Sequence, residues 1–303
     1  VFDSILSIAF FAQALRISVP YILPALGGTV SERGGVVNIA LEGTMLMGAF
    51  GAVVGTYLTN NPVVGLGCGI TAALLLSLVH AVATVTFKID QIVSGIALNL
   101  LALGLTKFFC QVIFHSSSNS DRIAGTEFWS IGMLNDIPVV GVLLGNPFIL
   151  GTFLLVAYVH MLMFGTRFGL HLRAVGENPR AADTVGISVV RVRYLAVLLC
   201  GILSGLGGVW LAFDQHSFTD GMSAGRGFIA LAAMIVGKWK PVGALGACLV
   251  FGLAEALVIQ LQGGSVPTQF IQMIPYILTM VVLAGFIGRA TPPAADGVPY
   301  EKE

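Results

Sequence analysis

Long apolar runs broken by short polar intervals dominate the chain. A helix that crosses a bilayer needs about 20 mainly apolar residues. Runs on that scale occur at Ser4–Leu26, Val36–Leu58, Val63–Phe87, Ile92–Phe114, Pro147–Gly165, Tyr194–Phe213, Val242–Leu261 and Phe270–Ile287. A further apolar piece, Gly227–Val236, is only about 15 Å long as a helix and cannot span alone. It is either re-entrant or a crossing completed by irregular backbone through Gly221–Gly227. The pattern predicts an all-α, polytopic helical membrane protein with eight or nine spans and one re-entrant or broken helix. Residues 1–290 form a single membrane domain and residues 291–303 a polar tail. The first run lacks a charged lead and a small-residue cleavage site, so it reads as a span and not as a removable signal.

Composition agrees. The chain is 56% hydrophobic and 10% charged, with mean hydropathy +0.92, whereas roughly a quarter of the residues of ordinary soluble domains are charged. The basic residues are scattered at span ends and form no stripe, which argues against nucleic acid as a partner. Cys68, Cys110, Cys200 and Cys248 lie within apolar stretches and read as small buried hydrophobes.

The polar interval over 166–193 carries Arg167, Arg173, Arg180, Arg191 and Arg193 against Glu177 and Asp183. Short loops rich in Lys and Arg stay on the cytoplasmic side. The loop 115–146, with Asp121, Glu127 and Asp136 against Arg122, is then external, as is the stretch with Asp214, His216 and Asp220. Lys88 and Asp90 fall inside. Lys238, Lys240 and Arg289 fall inside only if the short piece completes a crossing. Parity then places Val1 outside and Glu303 inside.

Within the cytoplasmic interval, Asn178 suits an N-cap, Pro179 the first helical position and Gly186 a left-handed closing residue. These predict about two helical turns over Pro179–Val185, with small Ala181 and Ala182 on the surface. Such a helix is either a docking peg for a cytoplasmic partner or a turn in an ordinary solvated loop.

Two glycine-bounded stretches interrupt the apolar pattern: Gly34–Gly43 (GGVVNIALEG) and Gly225–Gly237 (GRGFIALAAMIVG), both containing Ile-Ala-Leu. Short, Gly-interrupted segments in the two halves point to an inverted repeat and to a substrate path between them. Polar residues near them are the candidate path. Asn38 and Glu42 share one helical face. Glu42 is either a functional carboxylate or the cap of a broken helix. Ser94 and Asn99 lie in the fourth run, where Asn99 either meets a ligand edge or bridges helices. Phe228 can stack on a flat ligand or simply pack. Glu255 needs an interior partner that spacing does not identify, and Arg226 heads the short segment at the external mouth.

No G-x-x-x-x-G-K-[ST] phosphate loop occurs, and His80, His115, His160, His171 and His216 show no metal-ligand spacing. The chain therefore reads as a non-enzyme without catalytic residues, metal or cofactor of its own.

The stretches GGVVNIALEGTMLMGAF, QIVSGIALNLLALGLT, RAVGENPRAADTVGI and GRGFIALAAMIVGKWKPVGAL resemble the permease subunits of ABC importers for branched-chain amino acids, ribose-type sugars and nucleosides. SERGGVVNIALEG followed by GRGFIALAA, and a tail with Gly297, Pro299, Tyr300 and Glu303, are most similar to the nucleoside branch, which works with basic-membrane-protein-type lipoprotein receptors. The resemblance covers nearly the whole chain. It implies a multi-pass protein of the bacterial inner membrane that imports nucleosides. In that family the segment matched here by Gly176, Glu177, Asn178, Pro179, Arg180, Ala181, Ala182, Asp183 and Gly186 is the coupling helix, seated in a separate ATPase that binds ATP and Mg. A second, non-identical permease and an external binding lipoprotein are the other implied partners. Two alternatives stay open at this point: a sugar or branched-chain amino acid permease of the same group, and an ion-coupled secondary transporter using Glu42 or Glu255.

Overall fold

The structure is a computed structural model that describes residues 7–124, 132, 137, 139–262, 273, 277, 280 and 291–302. The predicted span Phe270–Ile287 lies outside the described residues, apart from isolated positions. Among the described residues the helices are α1 (Ile8–Arg33), α2 (Leu41–Thr59), α3 (Pro62–Ala81, continued by a π-helical turn over Val82–Thr86), α4 (Gln91–Phe114), α5 (Val140–Leu144), α6 (Pro147–Gly165), α7 (Arg167–Glu177), α8 (Pro179–Thr184), α9 (Val189–Gln215), α10 (Arg226–Val236) and α11 (Pro241–Leu261). Seven of them (α1, α2, α3 with its π-turn, α4, α6, α9 and α11) are long and apolar enough to cross a membrane.

Local chemistry sets several helix starts. Ser7 Oγ accepts from Phe10 N–H at the head of α1, and Asn61, Asp90 and Asn146 cap α3, α4 and α6. Helix α1 runs through Pro20 and Pro24. Proline has no N–H for the carbonyl four residues back. For Pro20 that carbonyl belongs to Arg16, and the Trp210 indole N–H of α9 donates to it at 3.1 Å.

Helices α1, α2 and α9 form the centre, with their side chains largely buried. Small residues let α2 and α9 touch backbone to backbone. A Cβ added at Gly208 would stand 1.8 Å from Met45 O, and one at Gly48 would stand 2.5 Å from Gly205 O. Without a hydrophobic drive between helices in lipid, such close packing supplies the association.

The polar contacts define two faces. On one, Arg16 pairs with Asp214 at 2.6 Å and Lys107 with Asp220 at 3.1 Å. On the other, Arg33 Nε donates to Trp239 O at 3.0 Å, and Lys88 pairs with Glu301 at 2.9 Å. Residues that charge assigns to the same side of the membrane fall on the same face of the molecule. The chain between Asp220 and Trp239 joins the two faces, so the short segment α10 is a crossing completed by turns over residues 219–225 and not a re-entrant loop. The same economy appears at 34–40, which is non-helical before α2 begins at Leu41.

Four expectations need correction. Cys68 is exposed on α3 and is not a buried hydrophobe, unlike Cys110, Cys200 and Cys248. The interval 166–193 is not one loop with a short helix. Arg167–Glu177 is itself an amphipathic helix, and α9 already starts at Val189. Arg193 is not a solvated loop residue. It is 1% exposed, and its terminal guanidinium nitrogens donate to the carbonyls of Val298 and Ala295 from the tail, while its Nε is buried without a hydrogen-bond partner. Ala182 is not on the surface. It packs into the core beside Leu172, Val175 and Val189, because α8 lies along the feet of α7 and α9, and only Ala181 faces out.

Candidate functional site

Helices α2 and α10 both begin inside the bundle, and their first turns meet. Neither has a capping side chain at its own N-cap, which are Ala40 and Gly225. Their first backbone N–H groups must find acceptors elsewhere. Glu42, in the first turn of α2, serves α10: Oε1 accepts from Gly225 N–H and Oε2 from Gly227 N–H, each at 2.7 Å. Asn99 of α4 serves α2, with Oδ1 accepting from Gly43 N–H at 2.7 Å and Nδ2 donating to Ile39 O at 3.0 Å. The carboxylate sits where the positive ends of two helix dipoles converge. Gly227 permits this approach, since a Cβ there would stand 2.5 Å from Glu42 N.

Depth follows from α1. Glu32 accepts from the Trp239 indole N–H at 2.5 Å on the cytoplasmic face. Tyr21 donates to Glu255, which pairs with Arg226 at 3.1 Å. Tyr21 and Glu32 are separated by about 16 Å of helix, which puts the head of α10 about half-way through a bilayer.

At this meeting point lies a cavity of about 310 Å³. Glu42, Asn99 and Ser223 border it, the first two with their polar atoms engaged in the capping contacts, and Leu46, Leu100 and Phe228 make its lining mainly apolar. Phe228 is 48% exposed. A pocket with apolar walls and a few convergent polar groups suits a small amphipathic ligand.

Of the five predicted path residues, the structure brings Glu42, Asn99 and Phe228 together in this cavity. Asn38 and Ser94 are elsewhere. Asn38 is buried, accepting from Ala40 N–H at 3.0 Å and donating to Cys200 Sγ at 3.2 Å. Ser94 Oγ pairs with His80 Nδ1 at 3.0 Å, and His80 Nε2 lies 3.2 Å from Val37 O. Gln91 Oε1 accepts from Val37 N–H at 2.7 Å. Asn38, His80 and Gln91 satisfy the irregular backbone over 34–40, and Ser94 holds the His80 ring, as non-helical chain at membrane depth requires. Arg226 is the partner of Glu255 that spacing does not reveal, and it lies at the head of α10 inside the bundle and not at the external mouth. Ser223 escapes the sequence reading altogether, although Gly221–Gly225 spells G-x-S-x-G. That order marks a nucleophile only at a strand-to-helix elbow, and here it lies in a run of turns.

The face that carries Arg33 and Trp239 holds the second group. Asn178 Oδ1 accepts from Ala181 N–H at 3.0 Å, Pro179 occupies the first turn of α8, and Gly186 closes the segment at φ +85°. The tail folds back onto it. Ala295 N–H donates to Gly176 O at 2.9 Å, Ala294 N–H to Glu177 Oε2 at 3.3 Å, and Lys302 reaches Asp183 at 3.8 Å. Glu177 also lies 3.9 Å from Arg33, while Arg180 is exposed beside it. Burial pushes the Asp296 carboxyl up to about 7, against the opposing pull of Arg193.

Comparison with known proteins gives a family and, among others, the following relatives. The family model of the branched-chain amino acid transport system / permease component matches residues 10–283. The guanosine ABC transporter permease protein NupQ of Bacillus subtilis (strain 168) is 44% identical over 301 residues, 93% of each chain. The nucleoside ABC transporter permease protein NupC of Lactococcus lactis subsp. cremoris (strain MG1363) is 43% identical over 306 residues, 96% of each chain. The guanosine ABC transporter permease protein NupP of the same Bacillus strain is 27% identical over 293 residues, covering 93% of this chain and 83% of that one.

Proposed function

We propose that this chain, which belongs to the family of branched-chain amino acid transport system permease components, is the membrane-spanning subunit of an ATP-driven importer that moves nucleosides into the cytoplasm. The single observation that carries the substrate is the 44% and 43% identity, over nearly the whole chain, to permeases named for guanosine and for nucleosides. The cavity fits that chemistry. A nucleoside carries a flat base, and Phe228, 48% exposed in a mainly apolar lining, offers a ring on which it can stack.

The chain is a multi-pass protein of a bacterial cell membrane, and the ATP and Mg belong to a partner ATPase. Residues 176–186 are the segment that seats in that subunit. A second permease completes the path on the open side of the cavity, where α4 and Phe228 are exposed. That second subunit is a different chain: the Bacillus strain holds two guanosine permeases, which match this chain at 44% and 27%. An external binding lipoprotein delivers the substrate and supplies most of the affinity.

Coupling runs through α1. Its cytoplasmic end touches Trp239 beyond α10, and its middle touches the Arg226–Glu255 pair at the head of α10. Closure of the ATPases moves α7 and α8, and α1 carries that movement to the cavity as rigid-body rocking. An ion-coupled carrier fits less well, because Glu42 and Glu255 both have fixed partners.

The test is uptake of labelled guanosine, adenosine and uridine into vesicles holding both permeases and the ATPase, with and without ATP and receptor. ATP-dependent uptake that unlabelled nucleosides block and ribose or leucine do not is expected. Uptake driven by an ion gradient without ATP would overturn the mechanism. ATP-dependent uptake of sugar or leucine alone would overturn the substrate.

A further inference from the structure

We propose that the C-terminal tail, residues 291–302, is the second half of the ATPase-docking surface, and that the groove between the tail and the start of α8 receives a segment of that subunit. The inference rests on the reading of 176–186 as the coupling segment.

The groove has a volume of about 490 Å³. One wall is Glu177–Arg180 and the other is formed by the tail between Ala294 and Glu301. A cleft that closes around Pro179 and Ala181 therefore meets the tail as well. The tail is held for this purpose along its inner edge. Arg193, buried in the foot of α9, donates to Val298 O at 2.8 Å and to Ala295 O at 3.5 Å. Ala295 N–H binds Gly176 O. Lys88 and Asp183 reach Glu301 and Lys302 beyond.

With its inner edge pinned, the tail turns apolar groups to water. Val298 is 53% exposed and lines the groove with Pro179, Pro299 and Tyr300. An apolar-lined groove whose backbone wall is already pinned can receive a partner segment without first having to order itself. Glu177, Arg180 and Glu301 add charges of both signs to the same lining, the mixture of apolar and charged groups found at protein interfaces. The ATPase is the occupant because the groove is continuous with the helix that seats in it.

A photo-crosslinking amino acid is placed singly at Ala181, at Val298 and, as a control on the opposite face, at Leu58, in the complete complex of permeases and ATPase. Crosslinks to the ATPase from Ala181 and Val298, with none from Leu58, are expected. A crosslink from Ala181 without one from Val298 removes the tail from the interface and leaves the coupling segment standing. No crosslink from either site removes the coupling assignment itself. As a second measurement, Val298→Asp is expected to lower ATPase copurification at least about tenfold, with the permease still inserted. Unchanged copurification overturns the proposal.

Discussion

Replacing Glu42 with Gln tests whether this carboxylate is the cap of α10 or a ligand contact. Its two oxygens accept from Gly225 and Gly227 N–H at 2.7 Å each. A hydrogen bond to a charged group contributes about 1.5–3 kcal/mol. Gln keeps one acceptor oxygen and turns an NH₂ towards the other amide. One charged bond is then lost and the other becomes neutral, and the compensation of the helix dipole disappears. The sum is about 2–4 kcal/mol, which corresponds to a fall in Tm of about 5–15 °C for a chain of this size. Glu42→Asp, one methylene short of both amides, should fall nearly as far. The assay is thermal unfolding of the purified permease in detergent, followed by size-exclusion chromatography, beside nucleoside uptake in vesicles. Loss of Tm together with uniformly reduced uptake of all nucleosides supports the cap. An unchanged Tm would refute the reasoning, and an unchanged Tm with an altered ranking of substrates would make Glu42 a substrate contact instead.

Four further outcomes follow from the same contacts. Asn99→Leu removes the acceptor for Gly43 N–H and the donor to Ile39 O, so the permease should lose about 2–4 kcal/mol, read as lowered Tm whether or not substrate is present. Trp210→Phe leaves the Arg16 carbonyl above Pro20 without its donor and should cost about 1–3 kcal/mol; an unaltered melting curve would count against that role. Ala181→Trp should leave the fold intact and abolish ATPase copurification, whereas Ala182→Trp, at a site 4% exposed, should lower the yield of folded permease before any partner is added. Asp296 is raised from an ordinary 3.8 to about 7 by burial, with Glu32 and Arg193 facing it. An acid held up in this way is favoured in its protonated form, so its support for the docked tail is complete below its unfolded value and fades as pH rises through about 7. Protection of the tail from protease should therefore weaken from pH 5 to pH 8 (working values chosen to bracket that range), and Asp296→Asn should flatten the profile.

The parts of this molecule that repeat along the chain are legible in its sequence, and the parts that depend on contacts across it are not. Spans show because burial in lipid demands an unbroken apolar helix, so α4, α6 and α11 match their runs almost to the residue. Glycine punctuation marks the two breaks for the same reason. Position fails where a polar group is satisfied by distant backbone. Glu42 and Gly225 are 183 residues apart, and nothing periodic links them. Arg193 misleads because a count of cations treats every guanidinium as hydrated, while this one is buried against two tail carbonyls and the Asp296 carboxyl. Ala182 misleads because a two-turn helix gives too few positions to define its inner face. The tail is polar and irregular, and its docking onto Gly176 uses main-chain groups that every sequence carries. These silent contacts tie the cytoplasmic segment to α1 and α9, and α1 in turn touches both ends of α10. A change at the cytoplasmic face therefore has a rigid route to the cavity through residues that pattern alone leaves unmarked, and mutations along α1 at Tyr21 or Glu32 should affect coupling more than their distance from either site would suggest.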